Sequence, residues 1–537
     1  MPRMSNGVLS AALVLGALLG SRPLLAQSGL DQVHHIIIVM QENHSFDNYF
    51  GALPYSPGGV YHPPDPLDHD PDGGCRADDH SCVDGLTCQR TAGGTLACSN
   101  SNRDVSGPRV LAFHNPSRCV LPDLDHGWVG AHHEANFLQP NDALDHFLGN
   151  GFVRRNDLTE QIDSGPETPT DDPTMGFYNR DDLPFYYGLA QNFAISDRHF
   201  CSVLGPTFPN RSFAMAATSF GHVTTNDEIP PVGGYKPIHG TIFDLMDQNN
   251  VSWADYFQDV PQGASFLPFS ATSVDPHFLP YSLFLAQVAG APTVGPLPEV
   301  AFVDPNFGFF TNQFQTDEHP PTDIQRGQAF LSQVVNAVRN GPYWKDSIIF
   351  ITYDEHGGFY DHARPPRAPQ GETRTPDGIA PGQCADLSNP PASLEPGGGA
   401  QCSTNQVNPA GNSVVTAEQL CPALTANPTG PFPQQCASFD QLGFRVPFMA
   451  ISAFAKPHYV SHVVSDHTSV LALIEKRFMT GAAVASGKAV DGMRPHLTRR
   501  DLDADTLEDM FDFDHSPSLN TPVGIALPPT NDCTPAP

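Results

Sequence analysis

Residues 34–51 read HHIIIVMQENHSFDNYFG. Residues 34–40 form a β-branched, apolar run without polar alternation, which is typical of a strand buried on both faces of a sheet. A polar stretch, QENHSFD, follows that run at once. Open α/β sheets bind ligands in the crevice at the carboxyl ends of their strands. These residues therefore predict an α/β fold with a polar site where the strand ends.

Further runs along the chain extend this sheet. Strands are predicted at Ser347–Tyr353, Val446–Ala450, Val251–Tyr256 and Glu299–Val303. The run Val446–Ala450 leads into residues 451–453, and we expect it to end at the same polar edge of the sheet as the first run. Apolar residues recur at helical spacing in Asp323–Arg339 and His467–Phe478, the second after a Ser465/Asp466 cap. Strands that alternate with helices predict a mostly parallel central sheet covered by helices on both faces.

The ends and loops of the 537-residue chain carry their own signals. Arg3, the apolar stretch Val8–Leu19 and Ala26 have the layout of a secretory signal at residues 1–26, which predicts a secreted or periplasmic protein. A catalytic domain is expected at 27–515 and an irregular tail at 516–537. The 54 Pro and 46 Gly predict long loops, with insertions at about 55–102 and 365–438.

Cysteine usage fits an oxidising compartment. All 11 cysteines follow the predicted signal, which suggests five disulfides and one free thiol in an unspecified pairing. We expect two disulfide-stapled loop insertions, formed by Cys75, Cys82, Cys88 and Cys98, and by Cys384, Cys402, Cys421 and Cys436. A zinc site is the weaker alternative because no CxxC pair occurs.

The net charge limits which classes of partner the protein can bind. The chain has 27 Lys and Arg against 58 Asp and Glu, a net charge of −31. Such an acidic chain is a poor binder of a phosphate backbone, so we expect no nucleic-acid partner. The excess suits an exported protein, or one that gathers carboxylates around divalent cations.

Two pairs of residues with side-chain oxygens follow predicted strands directly. Glu42 and Asn43 come after the first strand, and Asp354 and Glu355 come after Ser347–Tyr353. Carboxylate and amide oxygens at one sheet edge suit Mg²⁺, Ca²⁺, Mn²⁺ or Zn²⁺. The alternative is that Glu42 caps a turn and Asp354 is merely solvated. Because two such pairs occur at strand ends, we favour a divalent metal site.

A hydroxyl residue and several histidines complete the candidate site. In GPTFPNR, Thr207 stands on a sharp turn before a helix. It either caps the helix or acts as a nucleophile, and Asn210 and Arg211 are then available to bind phosphoryl oxygens. Several histidines lie beside acidic or turn residues, which suits general acids or metal ligands. They are His126, His319, His356, His362 and His467, and of these His356 is expected to contact substrate. A serine hydrolase is disfavoured because no GxSxG follows a strand.

Five segments in order resemble one known family. They are QENHSFDNYFG, DRHFCSVLGPTFPNR, DEHPP, DEHGGFYDH and SDHTS, spread over about residues 33–478. The chain is similar to the bacterial phosphoesterase family of phosphatidylcholine-preferring phospholipases C and a related acid phosphatase. This resemblance implies an alkaline-phosphatase-like three-layer α/β/α sandwich. It also implies a phospho-enzyme that water hydrolyses.

The resemblance also implies roles for individual residues. It makes Glu42, Asn43, Asp354 and Glu355 the metal ligands and Thr207 the nucleophile. It places His126, His319 and His467 in the phosphate pocket. His44 stands where the family commonly has arginine, a change expected to alter the charge near the phosphate.

The expected function is that of a metal-dependent phospholipase C on phosphatidylcholine-type lipids, with transient contact at a membrane surface. The alternatives are an acid phosphatase or phosphodiesterase on small soluble esters and, more remotely, a non-catalytic secreted binding protein.

Overall fold

The computed structural model describes most of the expected catalytic domain. The described residues are 29–67, 74–103, 109–115, 117–120, 123–136, 148–156, 173–223, 225, 234–310, 315–369, 376–379, 439–480 and 494–519. The predicted signal at 1–26, the four cysteines of the second insertion and residues 520–537 of the tail lie outside this part of the chain.

The β-strands form one large sheet and several two-stranded ribbons. In chain order they are β1 His35–Gln41, β2 Cys88–Arg90, β3 Leu96–Cys98, β4 Ser101–Arg103, β5 Arg109–Leu111, β6 Phe113–His114, β7 Gly176–Phe177, β8 Ala194–Ser196, β9 His199–Phe200, β10 Trp253–Phe257, β11 Phe278–Pro280, β12 Val300–Val303, β13 Ser347–Tyr353, β14 Phe448–Ser452, β15 Tyr459–Ser461 and β16 Ser465–Asp466. The large sheet has eight strands in the order β11-β10-β12-β1-β13-β14-β8-β15. The strand that opens the sequence is thus central, between β12 and β13.

The sheet is mostly parallel, as predicted. β1 runs parallel to both neighbours, and β14 alone in this sheet runs antiparallel to the strands beside it. Residues 451–453, which follow the predicted run Val446–Ala450, therefore do not reach the edge where β1 and β13 end. The expectation that this third run also feeds the site edge is wrong, because the strand is reversed.

Helices cover both faces of the sheet. Those with both ends described are α1 Phe46–Phe50, α2 Trp128–Ala135, α3 Pro184–Ala190, α4 Thr207–Ala216, α5 Ile242–Asn249, α6 Tyr281–Val288, α7 Ile324–Asn340, α8 His467–Ile474 and α9 Arg499–Asp503. Ile37 and Val39 of β1 pack in one core with α3, α6 and α7, whereas Ile36 and Ile38 pack in another with α4, α5 and α8. Alternate strand residues point to opposite faces, so one buried strand supplies both cores. The predicted mixed α/β architecture is confirmed.

The predicted helices begin at capping side chains. Asp323 accepts from the Gln325 backbone N–H at the start of α7, and Asp466 accepts from Thr468 at the start of α8. Side-chain acceptors satisfy backbone N–H groups that have no partner within the helix. None of the described helices has both the length and the apolar character that crossing a membrane requires.

Disulfides close the first insertion. Cys75 pairs with Cys82 and Cys88 with Cys98, which excludes these four thiols as zinc ligands. Cys119 is also disulfide-bonded, and Cys201 is a buried free thiol. A disulfide constrains the unfolded chain, which helps a segment with little core of its own to stay folded.

Candidate active site

The four predicted metal ligands meet at one edge of the sheet. Gln41 and Tyr353, the last residues of β1 and β13, are paired neighbours. The residues that follow them therefore leave the sheet side by side. The Asn43 backbone N–H donates to Asp354 Oδ1 over 3.2 Å, and Asn43 adopts φ 59°. This left-handed conformation, tolerated by asparagine, turns the chain back over the strand ends.

Arg211 ties this cluster to helix α4. Its Nε donates to Asp354 Oδ2 and its Nη2 to Glu42 Oε1, each over 3.1 Å. Its Nη1 donates to Gln262 Oε1 over 3.2 Å. The guanidinium is buried, and Asp354 and Glu42 outweigh the effect of burial and raise the pKa of Arg211. Arg211 is thus a fixed positive charge between two candidate ligands.

The donor set fits a divalent cation. Asn43 Oδ1 and Glu355 Oε1 are buried and have no hydrogen-bond partner among the described residues. A buried polar atom without a partner costs free energy, so such atoms point to a bound group. Burial also raises the pKa of Asp354 to about 7. Hard oxygen donors that repel one another are what Mg²⁺, Ca²⁺ or Mn²⁺ compensates.

Two of the predicted histidines border this cluster. His126 Nδ1 donates to the Leu124 carbonyl over 2.7 Å, and His126 Nε2 lies 4.0 Å from Glu355 Oε1. Its ring centroid is 6.0 Å from that of His319. Both imidazoles approach the Asp123 carboxylate, at 3.8 Å from His126 and 3.9 Å from His319.

These carboxylates raise the pKa of both imidazoles. Burial alone would lower the pKa of His126, but Glu355 and Asp123 outweigh it and raise the pKa to about 10. Burial likewise opposes Asp123 and Glu42 at His319, whose pKa ends above its usual value. In return, His126 and His356 hold the pKa of Glu355 below its usual value despite burial. Protonated imidazoles can donate to phosphoryl oxygens.

Thr207 is the first residue of helix α4, and Pro206 occupies the cap position. Thr207 therefore does not cap the helix, the alternative that its turn position left open. Thr207 and Arg211 are four residues apart, so both lie on the same helix face. The Asn210 amide donates to the carbonyls of Gly205 and Pro206 and accepts from the Val203 N–H. Those bonds fix the loop that presents Thr207.

His356 is buried beneath the cluster. Its Nε2 lies 2.7 Å from Glu134 Oε2, and its Nδ1 lies 3.3 Å from Glu355 Oε2. Burial alone would lower the pKa of His356, but Glu134 and Glu355 raise it to about 9. Both ring nitrogens face carboxylates, and the ring is 1% exposed. This arrangement orients Glu355, and contact of His356 with substrate stays a prediction.

His467 lies behind Tyr353. Its Nε2 donates to the Tyr353 carbonyl over 2.9 Å, and its buried Nδ1 has no hydrogen-bond partner in the described part of the chain. Burial lowers the pKa of His467 to about 4, so the ring is neutral at pH 7. It begins helix α8, which packs against α4.

His44 adds no charge to the site. Burial lowers its pKa to about 4, and its ring stacks on Tyr49 and Phe359 with centroids 4.3 and 4.9 Å away. Its two nitrogens face Asn48 Oδ1 and the Glu318 carbonyl. At this position, where the resemblance implies an arginine, the chain has a neutral stacked ring.

Three residues of the site escaped sequence analysis: Asp123, Glu134 and Gln262. Asp123 stands three residues before His126, a spacing that could have pointed to it. Glu134 lies at the far end of α2 and Gln262 begins a 3₁₀-helix after β10, so only the tertiary fold brings them to His356 and Arg211.

Comparison with known proteins agrees with the segments quoted above. The profile of the phosphoesterase family matches residues 33–480. Phospholipase C B of Mycobacterium tuberculosis is 28% identical over 542 residues, covering 94% of this chain and 84% of that protein. Non-specific phospholipase C4 of Arabidopsis thaliana is 26% identical over 501 residues, covering 93% of this chain and 76% of that protein.

A solved structure of murine ectonucleotide pyrophosphatase/phosphodiesterase 5 aligns over 55% of this chain and 90% of its own, at 11% identity and a TM-score of 0.28.

The relatives and the matched family define a hydrolase of phosphoric esters. The chain belongs to the phosphoesterase family. The matched residues, 33–480, include both the candidate metal ligands and Thr207.

Proposed function

We propose that the protein is a metal-dependent phospholipase C that hydrolyses phosphatidylcholine-type lipids to diacylglycerol and a phosphorylated head group. The observation that carries this proposal is the convergence of Glu42, Asn43, Asp354 and Glu355 beside the helix that begins at Thr207. The names of the two phospholipase C relatives support the reaction class.

The proposed reaction has two steps. Thr207 loses its hydroxyl proton to solvent, its Oγ1 forms a bond to phosphorus, and the bond from phosphorus to the diacylglycerol oxygen breaks. Protonated His126 or His319 donates a proton to the leaving alkoxide. Water then attacks the phospho-threonine, which releases the phosphorylated head group and restores the hydroxyl.

The chain's own residues prepare this chemistry. Glu42, Asn43, Asp354 and Glu355 would hold the divalent cation, whose identity is open among Ca²⁺, Mg²⁺, Mn²⁺ and Zn²⁺. A bound cation offsets charge on phosphoryl oxygens and favours the deprotonated hydroxyl. Asn210 holds the loop before α4, and Arg211 sets the helix against the ligands. Direct phosphate contact by Asn210 and Arg211 stays a prediction.

The test compares lipid and soluble substrates. Purified protein, Thr207→Ala and the control Thr225→Ala are assayed on phosphatidylcholine, aryl phosphocholine and aryl phosphate, with and without chelator. Thr225 accepts a backbone hydrogen bond from Phe208 and is absent from the ligand cluster, so its loss should spare turnover. We expect diacylglycerol release that fails in Thr207→Ala and in chelator.

Other outcomes would assign other functions. Turnover of the aryl monoester alone would make the protein an acid phosphatase, and turnover of soluble diesters alone a phosphodiesterase. No turnover of any ester would favour the non-catalytic binding protein. Full activity in Thr207→Ala would refute the phospho-threonine step.

We also propose that the protein is exported after removal of residues 1–26. The disulfides Cys75–Cys82 and Cys88–Cys98 support this, because such bonds persist in oxidising compartments. Mass spectrometry of the mature protein should give an amino terminus at Gln27. A cell-associated chain that retains Met1 would contradict export.

A further inference from the structure

A loop next to the candidate ligands carries two exposed aromatic residues, Phe309 and Phe310. It leaves the sheet after β12 and first passes over Arg211, whose guanidinium carbon lies 4.9 Å from the centroid of the Phe307 ring. Arg211 in turn pairs with Glu42 and Asp354. The base of the loop is therefore part of the wall of the candidate active site.

The backbone of this loop is fixed before any partner binds. The Asp259 carboxylate accepts from the Phe307 N–H over 3.1 Å and from the Phe309 N–H over 2.9 Å. Asn306 Oδ1 accepts from the Gly308 N–H over 2.8 Å. Gly308 has φ +74°, and a Cβ there would lie 2.4 Å from the Gln315 side chain. A preformed turn loses little conformational entropy on docking.

Phe309 and Phe310 present apolar surface to solvent. Phe309 is 63% exposed and Phe310 is 68% exposed, and their rings meet edge to face with centroids 5.3 Å apart. Exposed phenylalanines forgo the free energy of burial unless a partner covers them. Phe310 follows Phe307 by three residues, so its Cα lies within about 11 Å of the Cα of Phe307.

We propose that Phe309 and Phe310 are an interfacial anchor that inserts into a zwitterionic phospholipid surface and places the candidate active site against it. This proposal rests on the proposed function. The net charge of −31 disfavours electrostatic attraction to an anionic surface, so insertion of apolar side chains must supply the attraction. The anchor brings the lipid phosphate to the wall that Arg211 and Phe307 form.

Vesicle binding tests the anchor separately from catalysis. The variant Phe309→Ser/Phe310→Ser is made in the full chain and, for binding, in the Thr207→Ala background with chelator so that the vesicles stay intact. Binding to phosphatidylcholine vesicles is measured by sedimentation. Burial of one phenylalanine is worth roughly tenfold in affinity, so we expect binding to weaken roughly a hundredfold.

Two controls separate the anchor from general effects. Turnover of soluble aryl phosphocholine by the Phe309→Ser/Phe310→Ser chain with Thr207 intact should stay within about twofold of the unmodified protein, because neither ring touches the ligands. Leu67→Ser removes an exposed apolar side chain from the disulfide-bonded insertion, and vesicle binding should not change.

The outcomes distinguish this inference from the proposed function. Three results would overturn the anchor: unchanged vesicle binding in the double variant, an equal loss of binding in Leu67→Ser, or no vesicle binding by the unmodified protein. The last result would indicate that Phe309 and Phe310 contact a protein partner instead. Failure of the unmodified protein to release diacylglycerol would overturn the phospholipase assignment. Even then, the vesicle-binding comparison would decide whether Phe309 and Phe310 anchor the protein to lipid.

Discussion

Arg211→Met is the substitution whose effect the structure defines most closely. The guanidinium donates to Asp354 and Glu42 over 3.1 Å each, and all three groups are largely buried. Methionine keeps much of the apolar volume of the arginine side chain but leaves the two carboxylates without their positively charged partner. Breaking a buried pair by removing one partner costs about 3 to 5 kcal/mol. We expect a loss of that size in the free energy of unfolding when chelator is present.

A divalent cation should reverse part of this loss. The cation binds the same carboxylates, and the variant lacks the positive charge that repels it, so cation affinity should rise. A tenfold lower Kd adds about 1.4 kcal/mol of stabilisation at saturating cation. The increase in stability on adding cation should therefore be larger in Arg211→Met than in the unmodified protein.

Urea unfolding followed by tryptophan fluorescence measures both effects, in chelator and with Ca²⁺, Mg²⁺, Mn²⁺ or Zn²⁺ in turn. Arg198→Met is the matched control, because Arg198 pairs with Asp84, which is not a candidate ligand. That variant should lose stability without regaining it from cation. The reasoning fails if Arg211→Met is as stable as the unmodified protein in chelator, or if cation stabilises both arginine variants equally.

Three further predictions concern the groups around the ligands. Glu318 is buried and accepts from the hydroxyls of Tyr49 and Tyr353 over 2.6 Å each, and burial raises its pKa from 4.5 to about 7. The folded chain binds this proton more tightly than the unfolded chain, so the free energy of unfolding falls as pH rises from about 4.5 through 7. Urea unfolding across that range should show about 3 kcal/mol less pH dependence in Glu318→Gln than in the unmodified protein. An unaltered pH profile in the variant would contradict the assignment. Glu134→Gln should weaken cation binding about 10- to 100-fold in calorimetric titration, because His356 then orients Glu355 less firmly, and an unchanged affinity would rule out that role. Chelation should abolish ester turnover and re-addition of a divalent cation should restore it; activity that survives exhaustive chelation would show that the ligand cluster holds no catalytic cation.

Sequence patterns predicted the local elements well because burial and capping leave local signals. The predicted run at 34–40 is β1, the run Ser347–Tyr353 is β13 residue for residue, and the helix predicted at Asp323–Arg339 is α7, Ile324–Asn340. Their apolar periodicities reflect which faces are buried. Strand direction leaves no such signal, so the reversal of β14 could not be read from its apolar residues.

Side-chain contacts also divide into features that the sequence indicated and contacts that only the tertiary structure shows. The sequence by itself determined that two pairs of residues with side-chain oxygens follow two buried strands, that Thr207 stands at the start of a helix, and that Asp466 precedes another. Only the tertiary structure decided that Arg211 pairs with Asp354 and Glu42, and that His356 lies between Glu134 and Glu355. Local backbone preferences act over a few residues. Contacts between residues more than a hundred positions apart depend on how strands and helices pack, which no short stretch of sequence encodes.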